Sequence, residues 1–221
     1  MKTRVALIHA TKVAIQPIED AFIQLWPEAE RMNLLDDSLA ADRARCAEFT
    51  PEIIRRFVTL AQYAKDAGAA GILYTCSSFG PAIEAAKAAV GIPVLKPNEA
   101  MFLEAMQSGS RIGMVTTFAP AAEPMQVEFD EMAAGLRKSV ELYSVAQPEA
   151  LAALQAGDAA THDRLVAEAA HGLGECDVVM LGQFSMARAL DATRALVKVP
   201  VLTSPGCAVR MLRTAVEQAA V

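Results

Sequence analysis

The sequence of 221 residues predicts an α/β fold made of two duplicated lobes with mostly parallel sheets. Short apolar runs of strand length alternate with longer stretches of helical spacing, which is the pattern of βαβ units. A second observation is an internal repeat with a constant offset of 107 residues, which relates Arg4 to Arg111, Ser78 to Ser185 and Pro93 to Pro200. One offset over separated landmarks indicates a duplication, with about one hundred residues in each lobe.

The first half of the chain alternates predicted strands and helices. Thr50 is a good N-cap, Pro51 suits the first position of a helix and Gly68 suits the end of one. The predicted elements are a strand over 4–10, a helix through 18–25, a strand over 32–35, a loop or broken helix over 36–48, a helix over 51–67, a strand from 71, a helix starting directly after Ser78, and a strand over 92–95.

The second half repeats the same pattern after a connecting helix over 101–106. Its buried strands are again short and apolar, and its helices carry apolar residues at spacings of three and four. The predicted elements are strands over 111–117, 140–145, 177–181 and 199–202, and helices over 120–134, 148–155, 161–172, through 194, and from 207 to the end.

Composition excludes several classes of function. With 53% hydrophobic and 21% charged residues the chain can build a full core, and a net charge of -6 argues against a nucleic-acid partner. No apolar run approaches membrane-spanning length, and the N-terminal run is too short for a signal peptide. The cysteines show no metal-ligand spacing, so we expect no metal site and a soluble cytoplasmic protein with reduced thiols (Cys46, Cys76, Cys176, Cys207).

The strongest chemical signal is the run Thr75, Cys76, Ser77 and Ser78, which follows an apolar strand. Ligands of open parallel sheets bind beyond the carboxyl ends of the strands. A helix N-terminus beside the thiol would favour the thiolate, and the serine hydroxyls could hold a carboxylate. The alternatives are a small buried cysteine and serines that only cap the helix. We interpret Cys76 as catalytic.

The other candidate residues come from equivalent strand ends. His9 ends the first strand and could assist Cys76 as a proton partner, although a buried, hydrogen-bonded histidine would look the same. The offset relates Thr116 to His9 and Gln183 to Cys76. Their hydroxyl and amide groups suit carboxylate binding, and the same is expected of three neighbouring positions (Thr75, Thr117, Ser185). Cys207 begins the last helix and is a weaker candidate acid, whereas Cys46 and Cys176 are interpreted as structural.

The two motifs resemble those of the aspartate/glutamate racemase superfamily, which includes aspartate, glutamate and hydantoin racemases, maleate isomerase and arylmalonate decarboxylase. Thr75-Cys76-Ser77-Ser78 is similar to the first cysteine motif, and Leu181-Gly182-Gln183-Phe184-Ser185 to the second. The resemblance covers nearly the whole chain. It implies two flavodoxin-like lobes related by a pseudo-twofold axis, with the active site between them: residues 1–97 plus 206–221, and residues 98–205.

The sequence departs from the racemase pattern at the second motif. Gln183 stands where racemases carry their second cysteine, Ser185 stands at a histidine position, and His9 replaces a first-strand aspartate. A primary amide cannot exchange a proton near neutral pH, so a symmetric two-thiol racemisation is not available.

The resemblance therefore implies a cofactor-independent racemase or isomerase acting at the carbon next to a carboxylate. The alternatives are a single-cysteine decarboxylase or lyase, and a carboxylate-binding protein without turnover. The predicted partner is a small carboxylate substrate, and homo-oligomerisation is left open. The predicted site consists of catalytic and substrate-binding residues (Cys76, His9; Thr75, Ser77, Ser78, Thr116, Thr117, Gln183, Ser185).

Overall fold

The computed structural model describes residues 2–45 and 49–220. The chain divides into two compact units, the first containing residues 1–100 and 208–221 and the second containing residues 101–207. Each unit contains one four-stranded parallel sheet with helices packed on it. The predicted α/β class with duplicated, parallel-sheet lobes is therefore confirmed.

Unit 1 begins with a strand, and its first helix is preceded by a short 3-10 turn, Lys12–Ala14. A second 3-10 turn, Ser77–Phe79, follows the third strand. The elements are β1 (Arg4–His9), α1 (Ile15–Leu25), β2 (Glu30–Leu35), α2 (Leu39–Arg45), α3 (Pro51–Asp66), β3 (Gly71–Tyr74), α4 (Gly80–Val90) and β4 (Val94–Leu95).

Unit 2 repeats this order, and the helices at its two boundaries, α5 and α10, share residues with unit 1. The elements are α5 (Glu99–Ser108), β5 (Arg111–Thr116), α6 (Ala122–Gly135), β6 (Glu141–Ala146), α7 (Pro148–Gln155), α8 (Ala159–Gly172), β7 (Val178–Leu181), α9 (Leu190–Leu196), β8 (Val201–Thr203) and α10 (Ser204–Ala219). A longer 3-10 helix, Phe184–Ala189, connects β7 to α9.

The strand orders show the duplication directly. The first sheet has the order β2-β1-β3-β4 and the second β6-β5-β7-β8. β5, β7 and β8 each begin 107 residues after their counterparts β1, β3 and β4. β6 begins 111 residues after β2 because the connection that precedes β6 is four residues longer.

Successive side chains along each strand of unit 1 point to opposite faces of the sheet. Ile8 and Tyr74 point into a core formed with α3 and α4, and Cys76 packs against the same core. The Tyr74 ring stacks on Phe57 with 5.0 Å between centroids, and its hydroxyl donates to the Phe57 carbonyl at 2.7 Å. His9 and Thr75 occupy alternate positions and therefore lie toward the opposite face of the sheet.

Local signals act as the sequence predicts at the starts of both α3 and α4. Thr50 caps α3 by accepting from the Ile53 N–H at 3.3 Å, and Gly68 adopts a φ of 86° beyond the helix end. The helix predicted after Ser78 is α4, which begins at Gly80 with Pro81 in its first turn, after a 3-10 turn over Ser77–Phe79. The polar stretch 36–48 contains α2, and Cys46 lies outside the described residues. Throughout 2–45 and 49–220, no helix is long and apolar enough to cross a membrane.

Candidate active site

Parallel pairing brings the ends of β1 and β3 together at the carboxyl edge of the unit 1 sheet. Ile8 is aligned with Tyr74, and the Thr75 N–H donates to the Ile8 carbonyl at 3.1 Å, which extends the ladder by one step. The side chains of the next residues then meet: His9 Nδ1 lies 2.8 Å from Thr75 Oγ1. Cys76 follows immediately, at the start of the turn that contains Ser77 and Ser78.

The Cys76 thiol is half-buried, and burial raises its pKa above the ordinary value. The backbone N–H and the hydroxyl of Ser78 both hydrogen-bond the sulfur and oppose this effect, but the shift remains upward. Burial of the sulfur therefore opposes the thiolate that the sequence predicts for the ligand-free protein. Near neutral pH Cys76 is a protonated thiol that already has two donors placed to stabilise its thiolate.

His9 is fully buried, and both of its ring nitrogens are engaged. Nδ1 meets Thr75, and Nε2 lies 2.9 Å from Asn33 Oδ1 on β2. Burial lowers the pKa of His9, although the Asn33 bond and the Glu19 carboxylate oppose this effect, so the imidazole is neutral near pH 7. The predicted proton-transfer role of His9 stays a prediction, and the geometry gives the ring two fixed partners.

Sequence reasoning missed Asn33 and Glu19. The amide of Asn33 donates to Glu19 Oε1 at 2.7 Å, and Glu19 Oε2 accepts from Arg31 Nε at 2.7 Å. The sequence did carry a signal, because Asn33 interrupts an otherwise apolar strand, Met32 to Leu35. Its position on β2, one strand away from His9, becomes visible only once the strand order is known.

The equivalent edge of unit 2 carries a different arrangement. Gln183 Oε1 accepts from the Thr117 N–H at 2.8 Å and lies 3.3 Å from the Thr117 hydroxyl. These bonds fix the orientation of the amide, so its NH2 group points away from Thr117. Within the described part of the chain, neither Gln183 Nε2 nor the hydroxyl of the fully buried Thr116 has a hydrogen-bond partner. Buried polar groups are normally paired, so these two groups are candidates for contact with a ligand.

A glycine makes room for this arrangement. A Cβ at Gly182 would lie 3.1 Å from the Met125 methyl and the Val115 carbonyl, and 3.2 Å from the Thr116 methyl. The equivalent position in unit 1 is Thr75, which contacts His9. Each unit therefore fills the same position at its strand edge differently: unit 1 with a threonine that meets an imidazole, unit 2 with a glycine that accommodates Thr116.

The remaining predicted residues lie in the turns that follow these strands. Ser77 is half-buried and Ser78 exposed in the turn after β3, and Ser185 is half-buried in the 3-10 helix after β7. Cys176 is buried, burial raises its pKa, and its sulfur lies 3.9 Å from the Leu173 carbonyl, as befits a structural residue. Cys207 is buried in the first turn of α10.

A groove of about 850 Å³ lies at the other end of the unit 1 strands, around Arg4, Glu30 and Pro93. The Arg4 guanidinium is already paired there with Glu30 at 2.7 Å. Because ligands of open parallel sheets bind at the carboxyl ends of the strands, this groove is not the candidate active site.

A family model described as Asp/Glu/Hydantoin racemase matches residues 8–212. The chain belongs to the Asp/Glu/hydantoin racemase family. Both strand-edge clusters of this family member, around Cys76 and around Gln183, lie inside the matched range. A search of curated protein sequences found no significant match.

Solved structures show the same fold. An aspartate racemase homologue from Pyrococcus horikoshii OT3 has a TM-score of 0.74 at 16% identity, over 98% of this chain and 100% of its own. Allantoin racemase from Klebsiella pneumoniae has a TM-score of 0.72 at 17% identity, over 98% of this chain and 89% of its own. Unliganded arylmalonate decarboxylase has a TM-score of 0.71 at 17% identity, over 97% and 92%. At these identities the likeness of the family member to racemases and a decarboxylase is one of fold.

Proposed function

We propose that this member of the racemase family is an enzyme that transfers a proton, without a cofactor, at the carbon next to a carboxylate. The observation that carries the proposal is that two buried donors at the strand edge of unit 2, Gln183 Nε2 and the Thr116 hydroxyl, have no partner among the described residues. Gln183 offers N–H groups only, because its oxygen is held by Thr117. Each of these donors suits an oxygen atom of a carboxylate, and Ser77, Ser78 and Ser185 are proposed to add further hydroxyl donors.

Fixed donors of this kind also explain how the carbon would become acidic. Removing a proton from the carbon next to a carboxylate moves negative charge onto the oxygens and forms an enediolate. Donors that are already oriented, in a place that excludes water, stabilise this charge more than they stabilise the substrate. Thr117 contributes by orienting Gln183, since its own N–H donates to the amide oxygen.

Cys76 is proposed as the group that exchanges the proton. Its sulfur accepts two hydrogen bonds from Ser78, which stabilise the thiolate formed when the proton is given to carbon. Gln183, at the equivalent position of unit 2, cannot exchange a proton. We therefore propose exchange by a single thiol, followed by inversion only where a second acid or base serves the other face of the carbon.

The raised pKa of Cys76 supports a second candidate reaction, a decarboxylation. There the bond between the carbon and a carboxyl group breaks, CO₂ leaves, and the electron pair remains as an enediolate held by the donors. The Cys76 S–H proton then moves to the carbon, and the thiolate is reprotonated from water. A thiol that is protonated at rest is ready for this step, whereas a racemase base must first lose its proton.

A ligand screen followed by an exchange measurement tests the proposal. Mono- and dicarboxylates, amino acids and hydantoins are first ranked by the rise in melting temperature that they cause. Stabilising ligands are then incubated with enzyme in deuterated water, and loss of the signal of the proton next to the carboxylate is followed by NMR. Exchange that Cys76→Ala abolishes supports the enzyme, and CO₂ release identifies the decarboxylase.

The contribution of the unit 2 donors needs its own control. Gln183→Leu removes the amide, whereas Gln155→Leu removes an exposed amide at the end of α7 in the same unit. We expect the first substitution to reduce the thermal shift caused by the ligand and the second to leave it unchanged. Ligand binding without exchange in the wild type would show a carboxylate-binding protein without turnover. Equal thermal shifts in the two variants would contradict the role of Gln183 as a donor to the ligand.

A further inference from the structure

A chain of four polar contacts runs along one face of the unit 1 sheet to the residue before Cys76. It connects Arg31 to Glu19 at 2.7 Å, Glu19 to Asn33 at 2.7 Å, Asn33 to His9 at 2.9 Å and His9 to Thr75 at 2.8 Å. In unit 2, Gln126 and Thr116 stand at the positions of Glu19 and His9 by the offset of 107. The chain of contacts therefore belongs to the unit that carries the thiol.

The direction of each hydrogen bond follows from the charged end. The carboxylate of Glu19, paired with Arg31, can only accept, so the Asn33 NH2 group faces Glu19 and the Asn33 oxygen faces His9. That oxygen can also only accept, so the proton of the neutral ring is on Nε2. Nδ1 then carries a lone pair and accepts from the Thr75 hydroxyl.

The Thr75 hydroxyl hydrogen therefore points to His9 and cannot serve a ligand. If His9 were protonated, Nδ1 would donate to Thr75 and the hydroxyl hydrogen would turn to the Ile8 carbonyl, 3.4 Å away. In both charge states Thr75 is held by the β1 strand end. Cys76 packs against the core on the other face, whereas the ring nitrogens of His9 contact Thr75 and Asn33.

We propose that Glu19 and Asn33 are positioning residues that hold His9 as its Nε2–H tautomer. His9 then holds Thr75, the residue before Cys76, in place and does not transfer protons. The proposal deepens the proposed function, on which its activity readout rests. Its central claim, the tautomer, is measured without any substrate. The two can therefore fail separately.

The tautomer is measured by long-range ¹H–¹⁵N correlation on protein with labelled histidine. The chain has three histidines, and the signals of His9 are identified by their loss in His9→Gln. We expect Nε2–H alone in the wild type, and a mixture containing Nδ1–H in Glu19→Ala, where the Asn33 amide is free to turn. Asp20→Ala is the matched control, because Asp20 is exposed on the same helix and hydrogen-bonds to Gln16.

A second variant keeps the test decisive if Glu19→Ala does not fold. Asn33→Asp preserves an acceptor for Nε2–H. Its second oxygen lies beside the Glu19 carboxylate, so the two carboxyl groups share one proton, which takes the place of the amide N–H, and the tautomer should persist. An Nδ1–H ring in the wild type would overturn the proposal. So would a Glu19→Ala protein whose tautomer is the same as in the control.

Exchange activity separates anchoring from proton transfer. A glutamine at position 9 can donate to Asn33 and accept from Thr75 but cannot move a proton. We expect His9→Gln to lower the exchange rate by about tenfold, the effect of one imperfect hydrogen bond. A loss as complete as that of Cys76→Ala would instead make His9 an acid or base and would overturn the proposal. If the wild type exchanges no ligand, the proposed function fails and the tautomer still decides this inference.

Discussion

At the scale of single residues, the candidate site combines groups that are fully paired with groups that are not. His9 and Thr75 satisfy each other in unit 1, whereas Thr116 and the NH2 group of Gln183 remain without partners among the described residues. An unpaired buried hydroxyl lowers stability and is retained where a ligand uses it. This difference leads to a prediction in which stability and binding change in opposite directions.

Thr116→Val should stabilise the ligand-free protein and weaken ligand binding. The substitution replaces a buried hydroxyl without a partner by a methyl group, so we expect the free energy of unfolding to rise by about 1 kcal/mol. The dissociation constant of a stabilising carboxylate should rise about tenfold, because one hydrogen bond is lost. Denaturant unfolding and calorimetric titration measure the two quantities.

The matched control for this substitution is Thr193→Val. Thr193 is equally buried, but its hydroxyl donates to the Ala189 carbonyl at 2.8 Å. Removing it should lower the unfolding free energy by about 1 kcal/mol and leave ligand binding unchanged. A Thr116→Val protein that is destabilised as much as the control would show that Thr116 is satisfied in solution.

The pKa of Cys76 predicts how fast the thiol is alkylated at each pH. Burial raises this pKa, and only the thiolate reacts, so the reaction with iodoacetamide should be slow near pH 7. The alkylation rate should still be rising when the pH passes the ordinary pKa of a cysteine. Peptide mass spectrometry can follow the residue separately from Cys176. A rate that has already levelled off near neutral pH would mean a resting thiolate.

At the scale of elements, caps and glycines explain why α3 and α4 end where they do. α4 is followed by Gly91 with a φ of 65°, and a Cβ there would meet no atom within 4 Å. The glycine is therefore required by the backbone conformation and not by crowding. Gly172, at the end of α8, also has open space but does not have a positive φ.

Alanine at these two positions should have opposite effects. Gly91→Ala forces a Cβ into the left-handed region and should lower the unfolding free energy by about 1 kcal/mol. Gly172→Ala reduces the freedom of the unfolded chain and should be neutral or stabilising by up to about 1 kcal/mol. Urea unfolding of both variants checks the pair, and a stabilised Gly91→Ala protein would contradict the described end of α4.

Element boundaries were predictable where a local signal sets them. Thr50 with Pro51 marks the start of α3, and apolar runs mark β1, β5 and β7. The helix after Ser78 was predicted, and Pro81 lies in its first turn, but the 3-10 turn over Ser77–Phe79 was not predicted because it has no distinctive residue pattern. Burial, which a local sequence pattern does not show, is the effect that opposes the predicted thiolate of Cys76.

At the scale of the whole molecule, duplication was the most informative property of the sequence. The 107-residue offset predicted two sheets of the same strand order, and the structure has them. It also identified Gln183 and Thr116 as the counterparts of Cys76 and His9. The contacts of these residues were not predictable, because Asn33, Glu19 and Thr117 reach them across strands and from a helix, and such neighbours depend on the fold.

The duplication also shows how the two units differ in chemistry. Unit 1 carries a thiol that can exchange a proton, and unit 2 carries an amide that can only hydrogen-bond at the equivalent position. The account therefore predicts that exchange of the proton next to the carboxylate is faster than inversion. Gln183→Cys, which adds a second thiol, should raise inversion relative to exchange.

The most direct test compares these two rates in one experiment. A single enantiomer of a ligand found by the thermal-shift screen is incubated with enzyme in deuterated water. NMR follows deuterium incorporation while chiral chromatography follows inversion, and Cys76→Ala and Gln183→Cys are run in parallel. The account predicts that the wild type incorporates deuterium faster than it inverts, and that Cys76→Ala does neither. Inversion as fast as exchange in the wild type, undiminished in Cys76→Ala, would contradict it.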